Sequence, residues 1–138
     1  MTVGIAQRVV IGCVPDSDLS PNARVHHMVR ARKARQMRQY VGWAAKADAP
    51  AKPIRGPVVL TVTIGWPKRR PGMDIDNATA CLKSSIDGLV DAGFIEDDKQ
   101  ITELRVRQRK WGEWREQGGW LYEAGCMTFD FEEVMGDE

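Results

Sequence analysis

Apolar and polar positions recur with two different periods along this chain, and the switch between them marks its elements. Val3 to Gly12 is rich in valine and isoleucine and predicts a first strand. Pro15-Asp16-Ser17-Asp18 predicts a loop, and Ser20-Pro21 predicts an N-cap with proline at the first helical position. The helix that follows is expected over about 21–46, with Val25, Met28, Val29, Met37, Tyr40, Val41 and Ala44 near one face. Arg24, Arg30, Arg32, Lys33, Arg35 and Arg38 crowd the remainder, a pattern that a solvated face explains as well as contact with phosphate does. Asp48 to Pro57 reads as a connecting loop. Val58 to Ile64 predicts a strand, with Leu60, Val62 and Ile64 on one face and Thr61 and Thr63 on the other. It runs out through Trp66-Pro67 into Lys68-Arg69-Arg70-Pro71-Gly72. A second helix is expected from Asn77 to Asp91, with Leu82, Ile86 and Leu89 toward the core and Gly93 closing it. Ile101 to Arg109 alternates again, Thr102, Leu104 and Val106 against Glu103, Arg105, Arg107 and Arg109. Trp111 to Gly119 predicts a turn region, Trp120 to Phe129 a last strand, and Asp130 to Glu138 an acidic end that frays. The sum is one α/β (α+β) domain over residues 1–138, in the order β-α-β-α-β-β, with helices packed on a mixed sheet.

Composition narrows the class. A chain of 138 residues builds one domain with a real core. No apolar run approaches the ~18–20 residues of a membrane span, and the first residues lack the basic start and apolar stretch of a secretory signal. Cys13, Cys81 and Cys126 are odd in number and widely spaced with no CxxC, which argues against a disulfide framework or zinc site and suits a reducing cytoplasm. The net charge of +1 conceals an asymmetry: residues 1–70 carry 13 Lys/Arg against 3 Asp/Glu, and residues 71–138 carry 7 against 16. A basic half that meets phosphate and an acidic half that holds a cation would give this division, and so would two halves that attract one another. His26 and His27 are adjacent, so on a helix they point about 100° apart and make a poor metal pair.

The acidic residues carry the chemistry. Asp74 and Asp76, two residues apart in an extended segment, would project to one side, and a divalent cation would relieve their repulsion. Carboxylate oxygens with water are what Mg²⁺ or Mn²⁺ prefers. Asp97-Asp98 follow the helix closed by Gly93, so the chain is expected to return to the same end of the structure, where either aspartate could complete a three-carboxylate site. A solvated turn is the structural alternative. On one continuous helix Asp76, Lys83 and Asp87 fall near one stripe. Lys83 could there neutralise a carboxylate, hold an attacked phosphate or orient water, or simply pair with Asp87. An EF-hand is excluded, because the loop has Thr79 where glycine is needed and Ser85 where glutamate is needed. No phosphate loop, HExxH or Ser/His/Asp-type motif is present.

Taken in order, Arg69-Arg70-x-x-x-Asp74-Ile75-Asp76-Asn77, then Lys83-x-x-x-Asp87-Gly88-Leu89-Val90-x-Ala92-Gly93-Phe94-Ile95-x-Asp97-Asp98-x-Gln100-Ile101, resembles the RusA family of Holliday junction resolvases. Leu19-Ser20-Pro21-Asn22-Ala23-Arg24 is similar to the start of RusA-like proteins, many of them from phages and prophages. The resemblance implies a homodimeric, Mg²⁺-dependent endodeoxyribonuclease, with Mn²⁺ as a substitute, that cuts four-way junctions symmetrically in recombination and repair in the bacterial cytoplasm. It assigns Asp74, Asp76 and Asp98 as catalytic, metal-binding aspartates and Lys83 as the essential lysine. Flanking DNA backbone is then expected along Lys68, Arg69 and Arg70 and along Arg24, Arg32 and Arg35. One departure stands out: the best-known member has its lysine four residues after the second aspartate, whereas Lys83 comes seven after Asp76, as though Ala78-Thr79-Ala80 were inserted. Two other readings are a related nuclease for flaps, forks or other branched replication DNA, and a junction-binding protein without catalysis.

Overall fold

The strand with Leu60, Val62 and Ile64 on one face is central to the sheet. In the computed structural model, which describes residues 2–118 and 123–135, β2 (Val58–Gly65) lies between two neighbours. With β1 (Thr2–Ile11), β3 (Ile101–Arg109) and β4 (Cys126–Val134) it forms a four-stranded sheet of order β1-β4-β2-β3. β4 is antiparallel to β1 and β2, and β2 is parallel to β3, so the sheet is mixed. Leu60, Val62 and Ile64 are in register with Phe131, Phe129 and Met127 of β4, and all six are fully buried. Against this face lie α1 (His27–Ala45) and α3 (Lys83–Ala92), which contribute Val41, Ala45, Ile86 and Leu89 to the core. The opposite face is largely polar. There the Arg8 guanidinium holds the buried Asp130 carboxylate at 2.5 Å, and α4 (Trp111–Gly118) seats Trp114 over Gly65, where a Cβ would come within 3.0 Å of the indole. Among the described residues no helix is long and apolar enough to cross a membrane, and the three cysteines are free.

Four boundaries differ from the sequence reading, each for a local reason. α1 begins at His27 rather than near residue 21, because the Arg30 guanidinium donates to the carbonyls of Ser20 and Ala23 at 2.9 Å and holds that stretch as a loop. His26 then caps the helix, its Nδ1 accepting from the Met28 amide at 3.1 Å. The second helix is two, α2 (Ile75–Ala80) and α3, because 3₁₀-type bonds at Cys81 and Leu82 tighten the joint while both side chains bury. Gly93 ends α3 in the left-handed conformation at φ 97°, as expected. Residues 111–118 form α4 instead of a turn, started by the Glu113 carboxylate accepting from the Lys110 amide. β4 starts at Cys126 and continues to Val134, so residues 130–134 are strand and not a frayed end. Gly119, Trp120 and residues 136–138 lie outside the described residues.

The two helices approach closely because both are glycine at the crossing. A Cβ on Gly88 would stand 2.6 Å from the Arg38 carbonyl oxygen and 3.0 Å from the Gly42 amide nitrogen, and one on Gly42 would meet the Gly88 carbonyl at 3.2 Å. Alanine at position 88 would gain about 1 kcal/mol of helix propensity but lose about 1–3 kcal/mol to overpacking, since the obstacle is backbone. Gly88→Ala is therefore expected to lower the urea midpoint; an unchanged or higher midpoint contradicts the close crossing.

Candidate active site

At the end of β2 the chain is fixed by Trp66, which is fully buried. Its indole N–H donates to Gln108 Oε1 at 2.7 Å, its carbonyl accepts from Trp114 Nε1 at 2.8 Å, and its amide bonds the Arg109 carbonyl at 3.0 Å. The Arg70 guanidinium lies 4.9 Å from the centre of its ring. Gly72 follows at φ 94°, where a Cβ would come within 3.2 Å of Trp66 Nε1, so only glycine suits both the backbone and the space. Met73 is then held at both polar groups by Gln108, which accepts from its amide at 3.2 Å and donates to its carbonyl at 2.7 Å.

Asp74 comes next as the N-cap of α2, and Asp76 sits in its first turn. The pair is thus at a helix start, not in the extended segment expected from the sequence. The Asp74 side chain makes no capping bond, and both carboxylates are exposed with no hydrogen bond or ion pair to the described residues. The partial positive charge of the helix N-terminus offsets part of their mutual repulsion. Both remain open to a cation from solvent.

The second acidic segment is ordered by a 3₁₀ turn, Asp98–Gln100. The Asp97 carboxylate accepts from the Lys99 amide at 3.0 Å. Gln100 Oε1 accepts from the amides of Glu96 and Asp97 at 2.7 and 3.0 Å, while its Nε2 donates to the carbonyls of Ile54 and Gly56 at 2.7 and 2.8 Å. Asp98 is left for Lys83, whose ammonium reaches Asp98 Oδ2 at 2.5 Å and Asp87 Oδ1 at 2.8 Å. Hydrogen bonds to Asp87 and then Asp98 raise the pKa of the lysine; the Asp98 carboxyl is lowered, first by Lys83 and next by Asp97. The break between α2 and α3 interrupts the expected stripe from Asp76 to Asp87, but the Lys83–Asp87 part of it survives.

The two acidic segments do not leave the sheet at one end. Because β2 and β3 are parallel, with Val58 opposite Ile101 and Gly65 opposite Arg109, Asp98 precedes the end where β2 begins, whereas Asp74 follows the end where it finishes. This corrects the expectation of a return to the same end. α2 packs on β3 between them, and the long Lys83 side chain reaches Asp98. Among the described residues no group of three or more His, Cys, Asp or Glu is gathered closely enough to hold a metal ion. The donor chemistry nevertheless fits Mg²⁺, which takes one or two carboxylates and completes its shell with water and substrate phosphate. Asp74 and Asp76 are two such carboxylates without competing partners among the described residues.

The basic residues divide by use. Arg30, Lys33 and Arg38 serve the fold: Lys33 pairs with Asp18, and Arg38 grips Asp91 on α3 with bonds of 2.7 and 2.9 Å. Arg24 lies ahead of α1, and Arg24, Arg32 and Arg35 are exposed and make no hydrogen bond or ion pair with the described residues. Lys68 and Arg115 lie over the Trp111 ring at 5.2 and 5.0 Å, and a groove of about 420 Å³ runs past Lys68, Arg69, Arg70, Lys110 and Trp111. Trp114 is core, whereas Trp43 is 79 % exposed. Gln100 and Gln108 carry no charge and are easily overlooked in sequence, yet they contact both acidic segments. The one signal is polar Gln108 continuing the face of β3 that carries Leu104 and Val106.

A mixed sheet thus has a basic exit loop that leads into two open carboxylates, and a lysine bridges the second acidic segment. Comparison with known proteins makes this specific. The family model for endodeoxyribonuclease RusA matches residues 18–117, and the chain belongs to that family. It is also similar to an uncharacterized protein of Xylella fastidiosa (strain Temecula1), with 34 % identity over 95 residues; the match covers 64 % of this chain and 59 % of that protein.

The Lys83 bridge gives a pH-dependent expectation. With its partners ionised, the pair is at full strength above the ordinary carboxylate pKa of about 3.9 and below the ordinary lysine pKa of about 10.4. It weakens as pH falls through the lowered Asp98 value or rises through the raised Lys83 value. Without divalent ions, Lys83→Met should cost about 0.5 kcal/mol at pH 7, a small figure because the pair is solvent-exposed. Carboxyl NMR should show Asp98 moving up toward the ordinary range; an unmoved resonance midpoint contradicts the bridge.

Proposed function

We propose that this protein is a Mg²⁺-dependent, structure-specific endodeoxyribonuclease that resolves four-way DNA junctions by paired phosphodiester hydrolysis, in recombination or repair in the bacterial cytoplasm. The observation that supports the reading is the open Asp74/Asp76 pair, set between the basic loop 68–70 and Lys83, which follows Asp76 by seven residues. Asp74 and Asp76 would hold Mg²⁺, with Mn²⁺ as a substitute; Asp98, the third aspartate of the family motif, stands at the other end of β3 in this fold. A cation there supplies a more acidic water and charge stabilisation at the departing oxygen. Lys83 would share its ammonium between Asp98 and the phosphate charge. Lys68, Arg69 and Arg70, with Arg24, Arg32 and Arg35, would position the flanking backbone without reading bases. A four-way junction presents two equivalent strands, so a two-fold homodimer would set one site on each.

The separation of the acidic segments favours one competing reading, a junction-binding protein without catalysis. Asp74→Asn discriminates them. On the nuclease reading it should lower Mg²⁺-dependent cleavage of a synthetic four-way junction by about 100-fold or more, the scale of losing a metal's transition-state stabilisation of several kcal/mol, while binding measured in Ca²⁺ persists. Undiminished cleavage by the variant would sink the mechanism.

A further inference from the structure

We infer that the exposed stripe of α1 ending at Trp43 is a binding strip for single-stranded DNA, on which the Trp43 indole stacks an unpaired base. The inference rests on the DNA-processing reading above and adds to it a second contact surface, on a different element from the carboxylates. Trp43 is 79 % exposed and its indole makes no hydrogen bond with the described residues, whereas Trp66 and Trp114 are buried and both donate. An α-helix turns by about 100° per residue, so Met28, Arg32, Arg35, Gln39 and Trp43 fall within about 80° of one another. All five are exposed. Tyr40, three residues before Trp43 and also exposed, is its neighbour on the helix surface. From Arg32 to Trp43 the stripe runs about 16 Å along the axis.

Charge decides what can lie on this stripe. α1 contains no aspartate or glutamate, and Arg32 and Arg35 form no hydrogen bond or ion pair with the described residues. Lys33 and Arg38 differ, since Asp18 and Asp91 already pair with them. A second copy of the chain docked through this helix on a two-fold axis would set the free arginines against one another with no acid between them. A DNA strand instead supplies a phosphate for each arginine and a ring face for the indole. In a duplex the neighbouring base pairs cover both faces of a base, so the indole selects unpaired nucleotides, and it does so without reading sequence. The stripe also begins on the side that carries the basic loop. Cys81, at the joint of α2 and α3, lies within electrostatic reach of both Arg30 and Arg70: burial and then Asp16 push its thiol up to about 11, and the two guanidiniums pull it down. A strand held at 68–70 can therefore continue along α1 toward Trp43.

The test measures binding of fluorescein-labelled oligothymidylate, and of a fully paired duplex of equal length, to the full-length protein in Ca²⁺. Wild type, Trp43→Ala, Trp43→Phe and Arg35→Ala are compared. Trp43→Ala should weaken oligothymidylate binding by about 10-fold, the scale of one base–aromatic stack, while duplex binding changes little. The urea midpoint should hold, because the side chain is outside the core. Its salt dependence should match wild type, whereas Arg35→Ala should reduce the slope of log K against log salt by about 0.7. Trp43→Phe keeps a stacking ring and should bind nearly as wild type does. Trp43→Ala that binds oligothymidylate as tightly as wild type, or that loses as much affinity for the duplex, overturns the inference. So does a dimer that Trp43→Ala converts to monomer in sedimentation, which makes the residue a subunit contact. If those results come with wild-type cleavage of a four-way junction in Mg²⁺, the stripe alone is wrong and the nuclease reading stands. Wild-type protein that binds neither oligothymidylate nor a junction ends both.

Discussion

The parallel pairing of β2 and β3 is the constraint on which the rest of this structure depends. Two parallel neighbours cannot be joined by a tight turn, so the chain must cross back from one end of the sheet to the other. Here the crossing occupies the chain between Gly65 and Ile101. It holds the basic loop, both helices α2 and α3, and both acidic segments. A single requirement of sheet geometry therefore gathers almost all of the candidate chemistry into one connection. The close α1–α3 crossing at Gly42 and Gly88 fixes that connection against the core. The same parallel pairing separates Asp74 from Asp98 along β3, leaving α2 and the reach of Lys83 to span the interval.

Charge is used in two ways that composition alone could not distinguish. Part of the excess is structural: Arg30 shapes the loop before α1, Arg38 grips Asp91, Arg8 neutralises a buried aspartate, and Lys83 bridges Asp87 and Asp98. The remainder, Arg24, Arg32, Arg35 and the loop 68–70, stays at or near the surface, with Lys68 and Arg70 over the rings of Trp111 and Trp66. The attraction between the basic and acidic halves holds for Arg8 with Asp130 and Arg38 with Asp91. Phosphate contacts would draw on the second set, and cutting the first would loosen the fold instead.

The sequence was most legible where one local rule decided the outcome. The alternation around Leu60, Val62 and Ile64 placed β2, the same period placed β3 from Ile101 to Arg109, and Gly93 closed α3. The ordered motif from Arg69 to Ile101 pointed to the RusA family, and the family match over residues 18–117 agrees. Legibility failed where distant groups intervened. Ser20-Pro21 reads locally as a helix start, but Arg30 captures the carbonyls of that stretch and delays the helix to His27. Residues 130–134 read as a solvated acidic tail, yet Asp130 is buried because Arg8, across the sheet, neutralises it. Spacing alone also could not show that β3 runs parallel to β2, which is why the return of Asp98 to Asp74's end was expected and not found.

The most direct test of the account is cleavage of a synthetic four-way junction by the unmodified protein, in Mg²⁺ and in Ca²⁺. A metal-dependent junction resolvase should nick paired strands in Mg²⁺ or Mn²⁺, and should bind the junction in Ca²⁺ without cutting it. Binding without any cleavage in Mg²⁺, or cleavage that persists in excess chelator, would contradict it.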